Sequence, residues 1–168
     1  VDLIKKLIVN ASGSQFVLDL RYFDFTCFKR MYSDEMQSLF GHPPREPGTE
    51  LRDFHKDLAR SLQYVLEEIL MDKLTYLHEV TGMENLCMAG GVALNCVANG
   101  RIKREGPFKR LFVQPAAGDS GGALGAALYA YHIFLNKPRQ FVMQHAAWGQ
   151  AYSESQIADS FRATVPGP

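Results

Sequence analysis

Three observations predict an α/β fold class for this 168-residue chain. Two short apolar segments, 85–89 and 110–113, have the length of strands and are bounded by turn residues. Each runs into a glycine-rich turn, Gly90-Gly91 after the first and Gly118-Asp119-Ser120-Gly121-Gly122 after the second. Each turn is followed by a helical stretch, 92–103 and 121–135, and a long amphipathic helix precedes the whole unit. This order gives a β-turn-α-β-loop-α unit in a mixed sheet, with its strands parallel, its helices against the sheet and its connection right-handed.

The remaining elements follow from local pattern. In residues 1–9, Leu3, Ile4, Leu7 and Ile8 recur at helical spacing around Lys5 and Lys6, which predicts a short amphipathic helix broken over 10–14. Residues 15–25 are rich in Phe, Val, Leu and Tyr and favour one or two short strands. Residues 40–48 hold Gly41, Pro43, Pro44, Pro47 and Gly48, so the fixed φ and missing N–H of proline impose a loop. Thr49 is placed to cap the long helix, with Glu50 and Asp53 at its positive end. Apolar residues from Leu51 through Phe54, Leu58, Leu62, Val65, Ile69 and Leu74 to Leu77 keep a period near 3.6, giving one broad packing face that ends near Gly82. Beyond Pro138 there is little periodicity until 153–162, which reads as a short capped helix.

Composition sets outer bounds. A 46% hydrophobic content suffices for a core. Eighteen basic and eighteen acidic residues cancel, so no broad field draws the chain to nucleic acid or anionic lipid. Cys27, Cys87 and Cys96 are odd in number and lack CxxC spacing, which argues against disulfides and structural zinc and for a cytoplasmic setting. Cys87 and Cys96 read as small buried hydrophobes. No apolar run reaches the roughly 20 residues that span a bilayer. A start at Val1 and an end in 164–168 read as cuts in a longer protein.

The two turns carry the chemistry. Both lie at the carboxyl ends of adjacent parallel strands, where open α/β sheets bind ligands. Unpaired N–H groups at a helix start favour an anion, and glycine permits close approach, so Gly90, Gly91, Val92, Gly118, Gly121 and Gly122 form a candidate nucleotide cradle. Tight turning alone also accounts for glycine at such places, and neither GxGxxG nor GxxxxGK[ST] is present. Asp119 suits a hard or borderline cation or a helix N-cap. Asn95 can offer its amide to ribose or base, or stand exposed on a helix. His55, His42, Arg45 and the basic group Lys103, Arg104, Lys109 and Arg110 read more simply as helix, loop and rim residues.

The segments LCMAGGVALNCVANG at 86–100 and FVQPAAGDSGGALGAAL at 112–128 resemble the O-carbamoyltransferases of nodulation-factor and antibiotic biosynthesis. The likeness extends through FGHPPR at 40–45 and HKDLARSLQ at 55–63. It implies a domain resembling the tRNA threonylcarbamoyl-transfer enzyme, of the actin-like and sugar-kinase-like superfamily. This chain would then supply the later part of a ribonuclease-H-like lobe over 1–138, with 139–168 leading toward a further domain. The resemblance also implies the reaction: carbamoyl phosphate and ATP give carbamoyl-adenylate, whose carbamoyl group passes to a hydroxyl on a small molecule or saccharide. Asp119 would join an HxxxH pair around a divalent metal, iron. That pair is absent here and is expected before Val1, as the C-terminal domain is expected after Pro168. A sugar-kinase-like phosphotransferase and a non-catalytic scaffold are the alternatives. A piece lacking the first strands of its lobe would be inactive alone and would expose sheet edges, which predicts a homo-oligomer or strand exchange.

Overall fold

The computed structural model describes residues 1–25, 30–147 and 149–164. Its chain divides into two compact units, Val1–Asp119 and Ser120–Pro168.

The first unit opens with a single helical turn, α1 (Asp2–Lys5), that buries Ile4. The predicted nine-residue helix is not formed, because Ile8 and Val9 enter a strand instead. This strand, β1 (Ile8–Asn10), pairs antiparallel with β2 (Val17–Leu18). The connecting turn is built by polar groups: Asn10 Oδ1 accepts from the Ser12 amide at 2.9 Å, and Lys73 Nζ donates to the Ala11 carbonyl at 2.6 Å, to Gly13 at 2.9 Å and to the Gln15 carbonyl. A 3-10 turn at Leu20–Tyr22 follows, with the Asp19 carboxylate accepting from the Arg21 amide. Next comes α2 (Asp34–Phe40), which the hydrophobic pattern does not announce. Its signal is local: Ser33 caps it by accepting from the Met36 amide at 3.3 Å, Asp34 and Glu35 fill its first turn, and Gly41 ends it at φ 67°.

The long helix is α3 (Asp53–Thr81), closed by Gly82 at φ 62°. It starts later than Thr49, which instead donates its hydroxyl to the Glu46 carbonyl at 2.7 Å and has its own carbonyl held by Arg45. The cap is unusual. Arginine has no acceptor, so Arg52 cannot receive a helix N–H through its side chain, but His55 Nδ1 accepts from the Arg52 amide at 3.0 Å. His55 thus serves the helix start.

Two small cores hang on this helix. Val65 packs with Ile4 and Leu7, and Leu74 packs with Leu86 and Ile102. The broad face expected of α3 is only partly covered: Leu62 is 55% exposed and Leu77 40%. An apolar groove of about 510 Å³ runs between α3 and the N-terminal elements.

The α/β unit takes its expected order. The strands β3 (Asn85–Met88) and β4 (Arg110–Val113) are parallel, in register from Asn85 opposite Arg110 to Met88 opposite Val113. Between them a 3-10 turn (Gly91–Leu94) leads into α4 (Cys96–Glu105), so the helix expected from residue 92 begins four residues later. Ile102 of α4 and Leu74 of α3 close on Leu86 of β3, which sets both helices against this two-stranded sheet.

In the second unit, α5 (Ser120–Tyr129) passes into a π-helical turn at Ala130–Phe134, so the predicted 121–135 helix changes its winding near Tyr129. The last helix, α6 (Glu154–Thr164), is capped as expected: Ser153 Oγ accepts from the Gln156 amide at 3.3 Å, while Gln156 Oε1 accepts from the Ser153 amide at 2.8 Å. None of the described helices is long and apolar enough to cross a membrane.

Candidate functional site

The carboxyl ends of β3 and β4 are tied together. Gln114 N–H donates to the Met88 carbonyl at 3.1 Å, and Gly90 N–H donates to the Ala117 carbonyl at 2.8 Å. The second bond joins the two glycine turns directly, and Leu94 covers their junction: a Cβ at Gly118 would meet its Cδ1 at 3.5 Å. Gly90, Gly91, Val92 and Gly118 are therefore neighbours. Gly121 and Gly122 lie in the first turn of α5, in the second unit.

The glycines differ in why they are glycine. Gly90 adopts φ 98°, ψ 162°, a region closed to L side chains, so its identity is explained by the turn itself. Gly91 has no such φ, and a Cβ there would touch nothing within 4 Å. Both are solvent-exposed, as is Val92. The first hydrogen bond of the 3-10 turn runs from Ala93 N–H to the Gly90 carbonyl, so the amides of Gly91 and Val92 lie ahead of it.

Asn95 is half-buried and is the N-cap of α4. Its Oδ1 accepts from the Ala98 amide at 3.0 Å and from Gln63 Nε2 at 3.2 Å, and its Nδ2 donates to Gln63 Oε1 at 2.7 Å. Gln63 sits on α3 and donates its second N–H to Glu67 Oε1 at 2.6 Å. Arg101 of α4 reaches back to Glu67 at 3.6 Å, Glu68 at 2.6 Å and Glu105 at 3.0 Å. Hydrogen bonds to Glu105, then Glu68, push its guanidinium above the ordinary arginine value. Asn99 Nδ2 donates to the Ala93 carbonyl at 2.7 Å and pins the turn from below, while its Oδ1 is buried with no partner among the described residues. Gln63 and Glu67 are residues that sequence reasoning passed over. Their signal was there: two polar side chains four apart on a helix otherwise read for its apolar face.

Asp119 is exposed and immediately precedes the first residue of α5. No group of three or more His, Cys, Asp or Glu that could hold a metal exists among the described residues. One carboxylate does not make a site for a divalent ion, so the described residues do not fit such an ion by themselves.

Other expectations resolve individually. Cys87 and Cys96 are free and exposed, not buried: Cys87 is in β3 facing away from Leu86, and Cys96 opens α4. Cys27 lies outside the described residues. His42 stacks on Phe54 with ring centroids 3.9 Å apart, and Arg45 braces its own loop through the Thr49 carbonyl. Lys103, Arg104, Lys109 and Arg110 are exposed, with Lys109 paired to Glu84.

The family model for the carbamoyltransferase N-terminus matches residues 1–128. The chain belongs to the O-carbamoyltransferase family. Over its whole length it is 41% identical to an uncharacterized protein of Synechocystis sp., of which it spans 28%. It is also 45% identical over 106 residues to nodulation protein NolNO of Sinorhizobium fredii, and 49% identical over 84 residues to nodulation protein NolO of Bradyrhizobium diazoefficiens. These matches cover 62% and 50% of this chain and 15% of each nodulation protein. The chain thus spans under a third of the length of these relatives, and both glycine turns fall inside the family match.

Proposed function

We propose that this chain is the nucleotide-handling part of an O-carbamoyltransferase that uses carbamoyl phosphate, water and ATP to form carbamoyl-adenylate with release of phosphate and pyrophosphate, and then passes the carbamoyl group to a substrate hydroxyl as AMP leaves. The observation that carries the reading is Gly91. It is a glycine the fold does not require, exposed at the end of a parallel strand, one residue past the bond that joins the two turns. A ligand that needs the backbone at close range supplies the missing reason. Gly90, Val92 and Gly118 frame the same place, and Gly121 and Gly122, in the first turn of α5, are proposed as further nucleotide-binding residues. The wider architecture is proposed to be a ribonuclease-H-like lobe of the actin-like superfamily, in a protein working in the cytoplasm.

Asp119 is proposed as a single ligand of a divalent metal, iron, whose other ligands come from outside this chain. Its carboxylate offers one or two oxygens and nothing more is assembled around it here, so no chemical step is derived through the metal. The isolated chain is proposed to be inactive and to self-associate, since only nine hydrophobic side chains are buried among the described residues and the β3–β4 pair has no further strand partner among them.

The test uses the full-length protein with ATP, carbamoyl phosphate and a panel of hydroxyl acceptors. Carbamoylated acceptor is expected, with Gly91→Val weakening ATP binding tenfold or more at unchanged thermal stability, and Asp119→Ala cutting turnover by roughly a hundredfold. Phosphorylated acceptor in place of carbamoylated acceptor would identify a kinase-like transferase instead. Turnover indifferent to Asp119→Ala would remove the metal role.

A further inference from the structure

The side chains linking α3 to α4 form a directed chain of hydrogen bonds whose end lies at the candidate nucleotide turn. Direction follows from which groups can only accept and which can only donate. An ionised Glu67 only accepts, so Gln63 must face it with Nε2, and Gln63 Oε1 is turned toward Asn95. The Ala98 amide only donates, so Asn95 must face it with Oδ1. The two constraints agree at the Gln63–Asn95 contact, where each amide donates to and accepts from the other. Neither amide can be flipped without setting N–H against N–H at Ala98 or oxygen against oxygen at Glu67.

The account of Asn95 then closes. Both lone pairs of Oδ1 are spent, on Ala98 and Gln63, and one hydrogen of Nδ2 is spent on Gln63 Oε1. One N–H is left over, on a half-buried side chain one residue past the 3-10 turn that carries Gly91 and Val92.

We infer that Gln63 is a positioning residue of the nucleotide site: held by Glu67, it fixes the Asn95 amide so that Asn95 presents a single N–H donor to an acceptor atom of the nucleotide. This rests on the reading of the glycine turns as a nucleotide site. The ligand atom opposite Asn95 is then an acceptor, such as a ribose or phosphate oxygen or an unprotonated ring nitrogen. Gln63 itself touches no ligand. It works together with the Ala98 amide, adding a second contact against the alternative orientation, in which Asn95 would turn an oxygen toward the acceptor and repel it.

The test measures ATP binding by calorimetry, and KM for ATP and kcat in carbamoyl transfer, on the full-length protein with thermal melting alongside. Gln63→Glu keeps size and shape but places a carboxylate against Glu67. It is expected to raise KM for ATP about tenfold with kcat changed less than twofold. The exchange Gln63→Glu with Glu67→Gln again sets one donor against one acceptor at that contact but still leaves a carboxylate oxygen facing Asn95 Oδ1, so it is expected to recover thermal stability without recovering the lost affinity. Asn95→Asp removes the donor and is expected to weaken ATP at least as much as Gln63→Glu, with no recovery from the exchange. If Gln63→Glu leaves ATP affinity intact while Asn95→Asp and Gly91→Val lower it, the positioning role is wrong and the nucleotide site stands. A Gln63→Glu defect in ATP affinity that the exchange repairs would come from the contact with Glu67 and not from the hold on Asn95, and it overturns the positioning role, as does a defect that follows only the loss of thermal stability. If ATP binding ignores Asn95→Asp and Gly91→Val alike, the nucleotide reading has failed first.

Discussion

Gly90 and Gly91 are adjacent and chemically identical, but only Gly90 holds a backbone conformation that calls for glycine. Gly90 holds a backbone conformation that a side chain resists, so Gly90→Ala is expected to destabilise the protein by about 1–3 kcal/mol in chemical denaturation. Gly91→Ala has open space and an ordinary φ, so its stability is expected to stay within about 0.5 kcal/mol of the parent while nucleotide binding weakens. Loss of stability in both, or in neither, would show that the turn is read wrongly. Another single residue gives a pH dependence. Asp19 is held below the ordinary carboxylate value, first by the Arg21 guanidinium donating to it and also by the Arg21 amide. A lowered folded-state value means that the contribution is complete above the unfolded carboxylate range of about 3.9 and fades as pH falls through the folded value. Acid titration followed at the Arg21 amide is therefore expected to show the 3-10 turn loosening below about pH 4, and Asp19→Asn to abolish that transition.

Among the elements, α3 governs the rest, because it is the spine of two cores that share no buried residue. Leu74→Ala is expected to cost about 2–5 kcal/mol and to raise hydrogen exchange first in β3, α4 and β4. Leu7→Ala should do the same for α1, β1, β2 and α2. Uniform loss of protection from either change would mean that the cores are one cooperative unit. The same helix organises the first hairpin through Lys73, whose ammonium satisfies three carbonyls of the β1–β2 turn. Lys73→Met is expected to free the turn around Gly13 and to lower stability by about 1–3 kcal/mol, read as faster exchange there. How each element was legible follows from what specifies it. α6 carries its cap as Ser153 and Gln156 three residues apart, and β3 and β4 are bounded by turns, so local sequence located them. Residues 1–9 looked helical because Leu3, Ile4, Leu7 and Ile8 fit a helical period, yet pairing of Ile8 with Leu18 outweighed that pattern. Thr49 was a chemically sound cap that lost to a loop already organised by Arg45 and Glu46.

At the scale of the molecule, large hydrophobic side chains that are exposed outnumber the buried hydrophobic ones among the described residues. In the second unit Phe134 is 83% exposed; in the first, Val92, Leu94 and Val97 are exposed close in sequence to Gly90 and Gly91, and nine hydrophobic side chains are buried among the described residues. Light scattering on the isolated chain is expected to give a mass above that of one copy and rising with concentration; a single 18.8 kDa species over that range would refute self-association.

The sequence by itself determined the β-turn-α-β-loop-α order, the parallel strands and the family, because strand length, glycine turns and motif residues are all local. It also marked Gly90 and Gly91 as candidates, without saying which of them the fold needs. Tertiary structure decided that, since a φ and an empty space beside a Cβ are properties of the folded backbone. It likewise decided the fate of Asn95, whose partner Gln63 lies 32 residues away, and of Cys87 and Cys96, which came out exposed where their chemistry suggested burial. Hydrogen-bond direction and burial are relations between distant segments, and no single segment encodes them.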